Sequence, residues 1–159
     1  MLLGGSIIIS NISSNRRCVV SWTSLTFSFS DHEAKLALRS TVTQTTPTVA
    51  KTIRNMKYRG GGSNLHGALK LARTKIFNAN RRDRAAHVQN VIVLVTDGEP
   101  TTYTANNGKA VYDIESPGFA KARRVALDEA NLLKNRNVRI VAIGVGPDVS
   151  VRFQWLQTA

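Results

Sequence analysis

Acid is scarce in this chain. Ten Asp and Glu stand against 22 Lys and Arg in 159 residues, and no acidic residue precedes Asp31. The resulting net charge of +12 draws the surface toward polyanions. The bases nevertheless come in short groups: Arg16-Arg17, Arg81-Arg82-Arg84, Arg123-Arg124, Arg136 and Arg139. Aromatic residues make up only 6%, too few for a platform on which single-stranded nucleic acid would stack. Cys18 is alone, which excludes a disulfide within the chain and reads as a small buried hydrophobe. Four prolines and 42% hydrophobic residues exclude a disordered composition. No apolar run reaches the roughly 18 residues of a membrane span, so no membrane insertion is expected. The start, "MLLGGSIIISNISSNRRCVV", does not read as a signal peptide, because no base precedes its apolar part and Gly4, Gly5 and Ser6 interrupt it.

What is present is an alternation of strand and helix patterns. Val91 to Val95 is a short β-branched run without polar alternation, as in a parallel strand covered on both faces. It ends in Thr96, Asp97 and Gly98, and a polar, turn-rich stretch follows to Gly118. "FAKARRVALDEANLLKNRN" then places Ala122, Val125, Ala126, Ala130 and Leu133 on one helical face. "VRIVAIGVG", Val138 to Gly146, reads as a second buried strand and completes a strand–helix–strand unit with a parallel sheet. Upstream, "GGGSNLHGALKLARTKIF" is a glycine loop leading into a helix, with Ser63 as its N-cap and Leu65, Ala68, Leu69, Ala72 and Ile76 on one face. Val49 to Met56 predicts a short helix, Leu25, Phe27 and Phe29 a half-buried strand, and "AKLALR" a short strand beside it. The pattern predicts one α/β domain without repeats.

Chemistry concentrates at two positions. In an open α/β sheet ligands sit at the carboxyl ends of the strands, where Asp97 falls. Ser63 stands at a helix start behind three glycines, where backbone approaches a bound group closely. A hydroxyl and a carboxylate converging there are oxygen ligands for a hard cation such as Mg²⁺. The bland alternatives are an N-cap for Ser63 and a turn residue for Asp97. Glu99 reads as a surface charge. The glycine run lacks the spacing of a nucleotide loop. His32, His66 and His87 have no metal-ligand spacing and read as solvated or capping residues. No nucleophile has an evident base and orienting acid, so no enzyme activity is expected.

"YRGGGSNLHGAL", "VIVLVTDGEP" and "VRIVAIGVG", in this order and with "LTFSFSDHEAKLAL" before them, resemble the von Willebrand factor type A domain over about Val19 to Trp155. The similarity is to extracellular members of the matrilin, collagen and integrin type. It implies a doubly wound, mostly parallel sheet with helices on both faces and a metal-ion-dependent adhesion site for Mg²⁺ or Mn²⁺. Asp97 matches the family's late Asp, and Ser63 matches its Thr with the hydroxyl retained. The family's Asp-x-Ser-x-Ser after the first strand has no counterpart; Asn11-Ile12-Ser13 imitates it with an amide. The helix that should follow is missing as well, because a parallel crossover needs a dozen residues or more. Residues 1–17 are therefore expected to be an irregular segment before a partial domain at 18–159. Either Ile7 to Ile9 fills the central gap irregularly or the domain is truncated and needs a partner.

The implied function is a non-enzymatic adhesion or matrix-assembly module with a degenerate metal site. Its ligand-facing surface would be the loops around Gly60–Asn64 and Asp97–Thr102, its partner a matrix or cell-surface protein, its location extracellular. Two alternatives stand beside it: polyanion binding, to a sulfated glycan or nucleic acid, by the Arg groups, and an incomplete domain with no independent function.

Overall fold

The computed structural model describes residues 6–12, 25–28, 35–36, 51, 54–55, 62–77, 89–96 and 99–144. The described strands are β1 (Ser6–Ile12), β2 (Leu25–Ser28), β3 (Lys35–Leu36), β4 (Gln89–Thr96), β5 (Thr102–Thr104), β6 (Ala110–Tyr112) and β7 (Val138–Gly144). Helix α1 covers Leu65–Leu71 and runs on through a π-helical turn at Ala72–Ile76; helix α2 covers Ala120–Lys134 behind a 3₁₀ turn at Pro117–Phe119. Of the helix predicted at Val49 to Met56, Lys51 and Arg54 are helical and the other positions, Asn55 apart, lie outside the described residues.

Five strands form one sheet in the order β3-β2-β1-β4-β7, and β5 and β6 form a separate hairpin. β4 and β7 are parallel, with Ile92 opposite Ile140 and Leu94 opposite Ala142. β1 is antiparallel to both neighbours, pairing Ile8 with Thr26 of β2 and with Val93 of β4. Two expectations change here. The segment 1–17, expected to be irregular, supplies a regular central strand. The sheet, expected to be mostly parallel, is mixed, with three antiparallel ladders and one parallel ladder among the described residues.

The core lies on the β4 face that carries Ile92 and Leu94, which are 0% and 1% exposed. Leu65, Ala68, Leu69, Ala72 and Ile76 cover it from α1 and its π turn, and Ala126, Ala130 and Leu133 from α2. The helical stripes read from the sequence are the buried ones, except that Val125 is only half-buried. Four alanines, Ala68, Ala72, Ala126 and Ala130, are fully buried where the two helices meet, and side chains this short let the helix axes come close. On the opposite sheet face Val141 and Ile143 are 39% and 47% exposed, beside the half-buried Val93 and Val95. Among the described residues the helical layer thus covers one face, and no helix is long and apolar enough to cross a membrane.

Candidate functional site

The two loops singled out by the sequence meet at the carboxyl end of β4. Ser63 N–H donates to Thr101 Oγ1 at 2.9 Å. The Ser63 carbonyl in turn accepts from the N–H groups of Thr101 and Thr102 at 3.1 and 3.2 Å. These three bonds join the glycine loop to the segment after β4. Glycine is required at position 62, where a Cβ would stand 2.1 Å from Thr102 Oγ1 and 3.2 Å from the Tyr112 ring. Asp97, Gly60 and Gly61 lie outside the described residues, as do His32, His87, Cys18 and the Arg16-Arg17 and Arg81-Arg82-Arg84 groups. Asn11-Ile12-Ser13, which imitates the family's Asp-x-Ser-x-Ser, is described only as far as Ile12.

The N-cap of α1 is Asn64, not Ser63. Asn64 Oδ1 accepts from Gly67 N–H at 2.8 Å, and Asn64 Nδ2 donates to Thr104 Oγ1 at 3.1 Å. The helix begins one residue later than expected because an amide both caps the first turn and reaches across to β5, which a serine hydroxyl is too short to do. His66, expected to be solvated or capping, is 8% exposed, and its Nδ1 accepts from Thr104 N–H at 3.0 Å. Nδ1 is therefore unprotonated. Burial, together with Lys70 and Arg73, holds His66 below its ordinary pKa of 6.5 against the opposing pull of Glu129 and Asp128. At neutral pH the 3.9 Å approach of Nε2 to Glu129 Oε1 is thus not an ion pair. Glu129 is held instead by Arg73, through Nε at 2.6 Å and Nη2 at 3.0 Å.

The polar stretch after Asp97 contains a hairpin that the sequence reading passed over as a loop. Its signal was Tyr103, Val111 and Tyr112 flanking the Asn106-Asn107-Gly108 turn, with Gly108 at φ 80°. Asp113 follows it and is 3% exposed. It accepts from Ser116 Oγ at 2.5 Å and from Ala122 N–H at 2.8 Å. Burial pushes this carboxyl up, but the donors of Ser116, Ala122 and Lys121 outweigh it and hold the pKa below the ordinary value. Gly118 and Phe119 both lie in the left-handed region, at φ 57° and 56°, and Phe119 meets Tyr112 edge to face at 5.9 Å. Between them Tyr112 and Phe119 bound an open cleft of about 550 Å³.

Of the described carboxylates, Glu115 and Asp128 are exposed, and the two nearest in sequence after the end of β4, Glu99 and Asp113, are committed to partners of their own. Asp113 is taken by its donors, and Glu99, expected as a surface charge, is half-buried and meets Arg123 Nη2 at 2.5 Å. No group of three His, Cys, Asp or Glu suited to a metal occurs among the described residues, and by themselves these residues do not fit Mg²⁺. Arg124 at the start of α2 and Arg136 beyond its end are about 18 Å apart at helical rise, and Arg136 Nη1 is engaged with the Phe77 carbonyl at 3.1 Å.

The family model of the von Willebrand factor type A domain matches residues 21–156. The chain belongs to this family, whose domains are generally non-enzymatic interaction modules with an α/β fold. No curated protein and no solved structure matches it.

Proposed function

We propose that this chain is a non-enzymatic protein-interaction module that works outside the cell. Its ligand meets the loops around Gly60–Asn64 and Asp97–Thr102. The domain takes in the strand Ser6–Ile12 at the centre of its sheet, and further helices cover the second sheet face. A weakly held Mg²⁺ or Mn²⁺ sits on Ser63 and Asp97, without the carboxylate that the family's first strand supplies. The observation that carries this reading is the three-bond junction of Ser63 with Thr101 and Thr102, which makes the two loops one surface at the end of β4. Adhesion or matrix assembly is the broad role, with affinity resting more on shape and charge than on the cation.

Thermal unfolding with Mn²⁺ or EDTA, on wild type, Ser63→Ala and Asp97→Ala, tests the site. Ser63 meets its neighbours through its backbone, so Ser63→Ala keeps the fold. A cation at a hundred times its Kd adds about 2.7 kcal/mol, or about 5–10 °C in a domain of this size. The expected result is a smaller rise in wild type, reached only at millimolar metal, and none in either variant. An equal rise in all three proteins places the cation elsewhere and removes the site. No rise at any concentration removes the cation and leaves a metal-independent surface.

A further inference from the structure

The cleft beside the glycine loop has a feature that the adhesion reading does not use. Its wall runs from Tyr112 to Phe119, and Tyr112 stands against Gly62 on one side and Phe119 on the other. Large apolar side chains lie open around it. Ile114 is 76% exposed, Tyr112 43% and Val111 37%. A volume of about 550 Å³ is in the range of sites that take a side chain or a small molecule. An apolar surface of this kind, continuous with a candidate ligand face, is a place where a partner inserts an anchor.

Charge selects the partner. The one acidic side chain buried in the wall, Asp113, is consumed by Ser116 and the start of α2, which leaves Glu115 as the wall's exposed acid. Against it stand Lys121, Arg123 and Arg124 on the first turns of α2. Lys121 Nζ lies 4.8 Å from the centre of the Tyr103 ring. The Arg123 guanidinium lies beside the cleft wall, with Nη2 3.6 Å from where a Cβ on Gly118 would sit. That guanidinium is under-used: Nη2 meets Glu99, but Nε is buried without a hydrogen-bond partner. Nε is closed to solvent, so an outside carboxylate meets this guanidinium at the exposed part of its side chain, in a charge-assisted hydrogen bond. The side chain is 34% exposed and can be reached from outside.

We propose that the Tyr112–Phe119 cleft anchors a segment of a partner protein that carries a large apolar side chain next to a carboxylate, the apolar group filling the cleft and the carboxylate meeting Arg123. The proposal rests on the interaction reading above and names the chemistry of its ligand. Glu99 is the internal stand-in for that carboxylate, so binding exchanges one acid for another at Arg123.

The test is selection of a random dodecapeptide display library on the whole chain, followed by titration of the selected peptides against variants. Ile114→Ser replaces a side chain in solvent. Arg123→Gln removes the guanidinium, and its unfolding temperature is checked beside wild type. The expected peptides share an aromatic or large aliphatic residue within a few positions of Asp or Glu. Their Kd rises at least about tenfold with either variant, and unchanged binding to both variants overturns the proposal. Peptides that need Ser63 or Asp97 and ignore Ile114 and Arg123 overturn the cleft but leave the interaction reading standing. Failure to select any peptide overturns both. Retention on heparin that Arg123→Gln abolishes and Ile114→Ser leaves intact gives this rim to a polyanion and also overturns the proposal.

Discussion

Asp113 and Glu129 are both buried carboxylates that hold α2, one just ahead of its first turn and one near its far end, yet the fold satisfies them in opposite ways. Asp113 takes neutral donors: a serine hydroxyl and backbone N–H groups where the helix begins. Glu129 takes a cation, with both oxygens on Arg73. Neutral donors at the near end leave Lys121 and Arg124 beside the cleft without an ion-pair partner among the described residues, while Arg123 meets Glu99. The ion pair at the far end cancels its own charge and joins α2 to the π turn after α1. One end of the helix is therefore organised toward an outside partner and the other toward the core.

The largest effect comes from breaking the pair. Glu129→Ala leaves Arg73, whose side chain is 20% exposed, facing a buried gap, and is expected to cost about 3 kcal/mol in urea unfolding. Replacing both partners at once, Arg73→Met with Glu129→Leu, is expected to be close to neutral, because the desolvation cost of the charges leaves with them. A loss below about 1 kcal/mol for Glu129→Ala would mean the pair acts as a surface ion pair, and the contrast between the two ends of α2 would fail.

Asp113→Ala comes next. It removes a cap and orphans the buried Ala122 N–H, at an expected cost of about 1–2 kcal/mol. The pH dependence separates this carboxylate from a passive one. Its folded pKa lies below the ordinary 3.8, so its contribution is complete above that value and is lost as pH falls through the folded value. In Asp113→Asn the acid limb of the stability profile should flatten below pH 3.8. An unchanged limb would mean that other carboxylates set the acid sensitivity.

The sequence was most legible where a single periodicity governs. The apolar stripes of both helices were readable because each buries a face that its spacing defines, whereas the runs Val91–Val95 and Val138–Gly144 gave the strands but not their burial, since Val141 and Ile143 are exposed. The site was readable in part: Ser63 is joined to the segment after β4, while Asp97 falls outside the described residues. What escaped depended on distance in the chain. Nothing near Asn64 says that its amide reaches Thr104, forty residues away, and nothing in "HEAKLAL" or "SIIISNI" gives the direction of β1, which its pairing with β2 and β4 sets. The cleft escaped for the same reason. Tyr112 and Phe119 read as loop aromatics until two successive left-handed residues fold them together.

His66 gives the smallest effect and the sharpest test of the far end of α2. Its Nδ1 takes the Thr104 N–H, and the imidazole is buried with Lys70 and Arg73 close enough to disfavour a proton. Its folded pKa is therefore below 6.5, and the unfolded chain takes up the proton first as pH falls. The stabilisation is complete above pH 6.5 and is lost between 6.5 and the lower folded value. Glu129 pulls the other way, so removing it should push the folded value lower and widen that window. Urea midpoints measured on both sides of pH 6.5 should show a decline on the acid side in wild type, a steeper one in Glu129→Gln and none in His66→Gln, whose side-chain carbonyl can still accept from Thr104. If wild type instead gains stability as pH falls through this range, the protonated imidazole pairs with Glu129, and the far end of α2 holds three charges rather than two.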